Sequence, residues 1–285
     1  MSLFALSLIL AAAFIHASWN LLAKQAGGGA VFVWMAAVAG SAIYIPINLA
    51  LGTLGQVEWQ WPVVIFMLGS GLLQTLYFVT LQRGYKVGDL SLVYPLARGT
   101  GPMFSMIGAI LLLGERPTPL AIAGAMLVVA GVLAISSTAP STGLNRQWAI
   151  GYGLLTGLFI ASYTLWDKVA VSSLLIPPLL LDTVAAITRA GLLTPVGVTH
   201  WPEVRTLWRE HHWAVIGVGF LSGLSYILVL TAMRTTPVSY VAPAREVSIL
   251  VGTIMGARLL AEGHLQQRLA GASAIVLGVI ALALG

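Results

Sequence analysis

The sequence contains no cysteine and very few charged residues. Only 8% of its 285 residues are charged, whereas a soluble domain carries about 25%. Without cysteine, the chain can form neither a disulfide framework nor a thiolate metal site. A surface with so little charge cannot face water, and 58% of the residues are hydrophobic. These properties exclude a water-soluble globular protein and indicate that a lipid bilayer is the main solvent.

The sequence also lacks the motifs of several functional classes. It contains no nucleotide-binding motif, no His-Glu-x-x-His or Gly-x-Ser-x-Gly motif, and no carboxylate pair spaced for acid–base catalysis. The net charge of +5 is spread along the chain without a basic block, so we expect no nucleic-acid partner. We therefore expect no enzymatic activity, no cofactor and no metal ion. An intramembrane enzyme and a membrane scaffold remain minor alternatives.

Long apolar runs dominate the sequence, and its mean hydropathy is +0.93. One crossing of a bilayer uses about 20 apolar residues, so the chain has room for about ten helical spans. The first run lacks the basic start and cleavage region of a signal peptide, so we interpret it as a span. Residues 199–212 form the one longer connection, which is either a loop or a surface helix. The predicted spans are residues 2–23, 30–51, 61–81, 90–113, 120–135, 148–169, 174–196, 213–231, 238–260 and 269–284.

The two halves of the sequence share a pattern of landmarks. Residues 17–21 and Lys24 recur at 161–165 and Lys168, an offset of 144. A second set of landmarks recurs at an offset of 147. Its pairs are Arg98 with Arg245, Glu115 with Glu262, Gly124 with Gly271, and Gly131 with Gly278. Each half holds five predicted spans. Because five is an odd number, the second half enters the membrane in the opposite orientation to the first. We predict an all-α membrane protein of ten transmembrane helices, with two inverted five-helix repeats, residues 1–140 and 141–285, around a central cavity.

With these features the sequence resembles the drug/metabolite transporter superfamily, in its ten-helix, EamA-type branch of metabolite exporters. The resemblance rests on the duplication, on residues 17–20 and 161–164, on the stretch from Tyr94 to Arg98, and on residues 114–116. It is nearest to exporters of aromatic and neutral amino acids. It implies a secondary transporter in a bacterial inner (plasma) membrane that exports a small molecule by alternating access. Relatives in the superfamily also carry cationic drugs and sugar derivatives, so the substrate stays open.

Two arginines lie deep in predicted spans, Arg98 in the fourth and Arg245 in the ninth. A buried arginine is costly in lipid, so each should face a cavity or a partner. Either they bind a substrate carboxylate, or they pair within the protein, Arg245 with the adjacent Glu246. The predicted intramembrane cations, which also include Arg189, outnumber the anions Asp182 and Glu246. This excess favours an anionic group on the substrate.

Polar and aromatic residues recur on single faces of several predicted helices, at spacings of three and four. Together they predict an aromatic cavity with hydrogen-bonding tips, although packing or interface anchoring would also explain them. We expect Pro95 and Pro243 to act as hinges, and Glu246 to be a candidate for proton coupling. With the two arginines, the predicted substrate-binding residues are His16, Trp19, Asn20, Tyr77, Phe78, Tyr94, Arg98, Tyr163, Trp166, Tyr226 and Arg245.

Overall fold

The computed structural model describes residues 1–87, 90–136, 146–251 and 265–285. Within these ranges the chain is helical, with short connections and a 3₁₀ turn at Thr53–Gln56. The α-helices are α1 (Leu3–Gln25), α2 (Gly29–Ala50), α3 (Trp61–Val87), α4 (Leu90–Leu112), α5 (Pro119–Ser136), α6 (Arg146–Ser172), α7 (Pro178–Thr199), α8 (Trp201–Thr235), α9 (Val238–Ala244) and α10 (Leu265–Leu284).

Most helices begin and end close to the bounds that the apolar runs predict. One difference is α8, which already begins at Trp201 and includes the connection predicted at residues 199–212. The backbone is non-helical at His211, where φ is −133°, so α8 consists of a polar first part and an apolar second part joined by a kink. Of the two alternatives for this connection, the helix is therefore correct.

Helix α9 is short because the backbone changes conformation after Ala244. Arg245 and Glu246 form a turn, and residues 247–251 are helical again. Around the turn the backbone N–H groups of Glu246, Ser248 and Ile249 each bond a carbonyl three residues back. This interruption follows Pro243 directly, whereas α4 continues as a helix through position 95. The rest of the predicted ninth span, with Glu262, lies outside the described residues.

Six helices in the described part of the chain are long and apolar enough to cross a membrane. They are α1, α2, α3, most of α6, α7 and α8. Large apolar side chains such as Phe4, Leu111 and Ile65 are exposed on the outside of the bundle, which suits a surface solvated by lipid tails. The helical architecture of the described residues and these six helices are consistent with an integral membrane protein.

Helices α5 and α10 pack closely and run antiparallel. A Cβ atom added to Gly124 would lie 2.6 Å from the carbonyl oxygen of Gly278, and one added to Gly131 would lie 2.6 Å from that of Gly271. Glycine is needed at these positions because the two backbones touch. The four glycines are the same ones that the sequence repeat relates at an offset of 147.

Helices α2 and α7 are also antiparallel neighbours. Near the end of α2, the Asn48 Nδ2 donates to Thr183 Oγ1 at 2.8 Å, close to the start of α7. Near the start of α2, Trp34 Nε1 donates to Thr194 Oγ1 at 3.4 Å, close to the end of α7. The remaining large contacts include α1 against α8, α3 against α6, and α4 against α6.

Candidate functional site

A cavity of about 330 Å³ lies inside the helix bundle. Its walls come from α1, α2, α3, α4, α6, α7 and α8 and from the segment after α9. That volume suits a small organic molecule. Among the residues predicted to bind substrate, those that line the cavity are His16, Trp19, Asn20, Tyr77, Phe78, Tyr94, Arg98, Tyr163, Tyr226 and Arg245. The structure brings these ten residues together around the cavity. That they contact a substrate stays a prediction.

The cavity extends toward one end of the bundle. At that end its lining includes Gly28 in the α1–α2 turn, Gly29 at the start of α2, and Tyr85 near the end of α3. Toward the other end, apolar side chains fill the interior, among them the fully buried Met233 and Val238. The cavity therefore has a wide end and a packed end.

Aromatic side chains make one wall of the cavity. Tyr163 is central, because its ring lies edge-on to Tyr77 at 5.8 Å and to Tyr226 at 6.0 Å. On α1, His16 and Trp19 meet edge-on at 4.7 Å. Rings supply apolar contact area, and phenol and imidazole groups add polar atoms that orient a ligand.

Trp166 is the one predicted residue that does not line the cavity. Its ring stacks on Phe66 at 4.2 Å, and its Nε1 donates to the Phe66 carbonyl oxygen at 2.9 Å. Tyr163 and Trp166 share a face of α6 by spacing, but Trp166 packs against α3. We therefore leave Trp166 out of the proposed site.

Arg98 and Glu246 form a buried ion pair across the cavity wall. Arg98 Nη2 lies 3.0 Å from Glu246 Oε2 and donates to Ser248 Oγ at 3.3 Å. The two side chains are 10% and 6% exposed. This pairing differs from the local Arg245–Glu246 pair considered from the sequence, because the turn after α9 directs Glu246 toward α4. Arg98 thus has its charge balanced within the protein.

Arg245 faces the cavity without a carboxylate partner in the described part of the chain. Its guanidinium carbon lies 5.4 Å from the centre of the Tyr226 ring, in a cation–π arrangement. No ion pair within 4 Å involves Arg245 among the described residues. An incoming anionic group would therefore meet Arg245 rather than Arg98.

Asp167 is a buried acid that is not among the intramembrane anions predicted from the sequence. It is fully buried, and its Oδ2 accepts hydrogen bonds from Tyr226 Oη at 2.5 Å and from Gln74 Nε2 at 3.4 Å. Helix α6 continues past Asp167 to Ser172, so this residue lies within the bundle. The apolar run suggested a helix end there, and no sequence signal identified its partners on α3 and α8.

The charge balance of the interior therefore differs from the expectation. Among the described residues, three buried or cavity-lining acids, counting Asp167, stand against three arginines. Asp182 is 5% exposed and lines the cavity, with no ion pair within 4 Å among the described residues. Arg189 donates instead to Gln74 Oε1 at 2.5 Å. Among the described arginines and acids of the interior there is no excess of cations, and Arg245 and Arg189, which have no carboxylate within 4 Å there, are the positions that still favour an anionic group.

Comparison with known families finds a match to the first part of the chain. Residues 3–137 match the EamA-like transporter family. That match covers α1 to α5, and together with the apolar helices it points to a multi-pass integral membrane protein. The matched family is one of transporters. A transporter family also fits the expectation that the chain is not an enzyme. None of the curated proteins matches this sequence.

The fold is similar to that of a solved structure whose title reads "Crystal structure of protein". The two share a TM-score of 0.81 over 98% of this chain and 96% of the other, at 17% sequence identity. Such low identity supports a common fold alone. The likeness extends over α6 to α10, which the family match does not reach.

Proposed function

We propose that this chain is a secondary transporter that exports small metabolites, foremost aromatic or neutral amino acids, across a bacterial inner membrane. The observation that carries the proposal is the cavity between the helices, which is lined by tyrosines and by Arg245, an arginine with no carboxylate within 4 Å in the described part of the chain. The family match of residues 3–137 agrees with it. Since the sequence has no nucleotide-binding motif, transport would be driven by gradients.

Alternating access would follow from two inverted repeats. The antiparallel pairs α2–α7 and α5–α10 support this arrangement, because each pairs a helix with its counterpart in the other half. Further support comes from the packing of α1 on α8 and of α6 on α3. In the proposed repeat, α1 corresponds to α6 and α3 to α8, so these two contacts are equivalent. In such proteins, exchanging the conformations of the halves moves the opening from one side of the membrane to the other.

The substrate assignment rests on Arg245 and the tyrosine wall. A guanidinium binds carboxylates through paired hydrogen bonds, and the Arg245 guanidinium has no protein carboxylate within 4 Å in the described part of the chain. The rings of Tyr77, Tyr163 and Tyr226 would contact an apolar or aromatic side chain. Amino acids combine both features.

A cationic substrate is the second candidate, and specific residues favour it. Asp182 lines the cavity and Asp167 lies directly behind Tyr226, and neither has an ion-pair partner within 4 Å among the described residues. Tyrosine faces also attract organic cations. A transporter of cationic drugs would use these acids and leave Arg245 without a role in binding.

Transport by the purified protein in liposomes tests the proposal. Vesicles are loaded with radiolabelled L-phenylalanine or with tetraphenylphosphonium, and efflux is followed without ATP. We expect efflux of phenylalanine. Efflux of tetraphenylphosphonium alone would favour the second candidate, and efflux of neither compound would count against both.

Substitution of Arg245 tests its assignment within the site. We expect Arg245→Gln to reduce phenylalanine efflux at least about tenfold, because a lost charged hydrogen bond is worth about 1.5–3 kcal/mol. Arg205→Gln is the matched control, since Arg205 is exposed on the polar part of α8. Unchanged efflux in correctly folded Arg245→Gln protein would remove Arg245 from the site.

A further inference from the structure

Glu115 joins the two halves of the molecule at the packed end of the cavity. It lies in the α4–α5 connection, just after Gly114, whose φ of 67° suits glycine. The Glu115 Oε1 accepts the backbone N–H of Val238 at 2.7 Å, and Oε2 accepts that of Ser239 at 2.9 Å. One carboxylate of the first half thus holds the first two residues of α9.

Lys168 holds the chain just before α9, where α8 ends. Its Nζ donates to the carbonyl oxygens of Met233 at 2.6 Å and Thr236 at 3.1 Å, at the end of α8. The chain between α8 and α9 is therefore held by a carboxylate on its N–H groups and by an ammonium on its carbonyl groups. We call Glu115 and Lys168 the clamp.

The clamp lies where the cavity is closed. Val238, which Glu115 binds, is fully buried in the same apolar cluster as Met233 and Val241. Helix α9 leads directly to Arg245 in the cavity, so the segment held by Glu115 is the one that carries this arginine. Moving α9 away would both open this end and displace Arg245.

We propose that Glu115 is a positioning residue that keeps the cavity closed at the α8–α9 end, and that its release from α9 opens the cavity there. The inference rests on the proposed function, because it assigns one step of alternating access. Charge-assisted hydrogen bonds are about twice as strong as neutral ones. A glutamine has only one acceptor oxygen, so Glu115→Gln loses the charge and one of the two bonds.

Thiol labelling measures the opening directly, because the chain has no native cysteine. Ala13→Cys places one thiol on a residue that lines the cavity and also belongs to the closed apolar cluster. A membrane-impermeant methanethiosulfonate reagent is added to vesicles from each side separately. With Glu115 intact, we expect labelling from the wide end and little from the α8–α9 end.

Glu115→Gln should raise labelling from the α8–α9 end on the order of tenfold, the equivalent of about 1.4 kcal/mol. Lys168→Met should act in the same direction. Glu58→Gln is the matched control, because Glu58 is exposed in the α2–α3 connection, just before Val63 of the same apolar cluster. Unchanged labelling in both clamp variants, or an equal rise in Glu58→Gln, would overturn the proposal.

The labelling result is independent of substrate and so separates this inference from the proposed function. Efflux of L-phenylalanine is measured in parallel on vesicles that hold the protein with its native sequence. If that protein shows no efflux of any tested compound, the proposed function fails. The change in side-specific labelling still decides the role of Glu115.

Discussion

The ion pair between Arg98 and Glu246 places two opposite charges in the interior of the bundle. Both side chains are buried, and Arg98 Nη2 lies 3.0 Å from Glu246 Oε2. Burying two ions is expensive, and an isolated buried ion is more expensive still. Removing only one partner should therefore lower the stability of the protein more than removing both would suggest, and this difference can be measured.

A double-mutant cycle tests this pair. We expect Arg98→Gln and Glu246→Gln each to lower the free energy of unfolding by about 3–5 kcal/mol, because each leaves one buried charge without its partner. The double variant should lose less than the sum of the two by at least about 1 kcal/mol. Unfolding in detergent with denaturant measures all four proteins. Additive losses would show that the two residues are not coupled.

At the residue scale, the sequence located the cavity lining better than the charge pairing. Spacing on single helices placed Tyr77, Tyr94 and Tyr163 in the interior, because helical periodicity determines which face a residue occupies. It could not show that Glu246 pairs with Arg98 or that Asp167 meets Tyr226, since these contacts join helices far apart in the chain. The role of Glu246 in proton coupling stays a prediction.

Whole helices were predictable because hydropathy and length determine them directly. The bilayer imposes runs of about 20 apolar residues, and helices such as α2 and α4 begin within a residue of the predicted bounds. The prediction of helix bounds was weakest where polar residues continue a helix, as in the first part of α8. Hydropathy does not detect a helix made of polar residues. The break after Ala244 was foreseen only as an effect of Pro243.

The contact between α5 and α10 gives a prediction for an element. We expect Gly124→Ala to lower the free energy of unfolding by about 1–3 kcal/mol, because the new Cβ would meet backbone of α10 that cannot move aside easily. Gly151→Ala is the control, since nothing lies within 4 Å of a Cβ at that exposed position of α6. There, alanine should leave stability unchanged or raise it by up to about 1 kcal/mol. Thermal unfolding in detergent compares the two, and equal losses would contradict close packing of α5 on α10.

On the scale of the whole molecule, both chain termini lie at the packed end of the bundle. The Met1 amino group donates to the Ala283 carbonyl oxygen at 3.2 Å, and the Gly285 carbonyl oxygen accepts from Tyr240 Oη at 3.4 Å. Helix α6 begins at the other end, because Tyr152 packs on Gly84, near the end of α3. The two halves thus start at opposite ends, as two inverted copies would.

Single cysteines can test the proposed inversion of the two halves, since the chain offers a background without native thiols. Leu3 and Gln147 are separated by 144 residues, the repeat offset of the first helices, and both are exposed. An impermeant thiol reagent on intact vesicles should label Leu3→Cys and Gln147→Cys from opposite sides of the membrane. Ser173→Cys, just after α6, should react from the same side as Leu3→Cys. If Leu3→Cys and Gln147→Cys react from the same side, the halves are parallel copies, and alternating access through inverted repeats loses its structural basis.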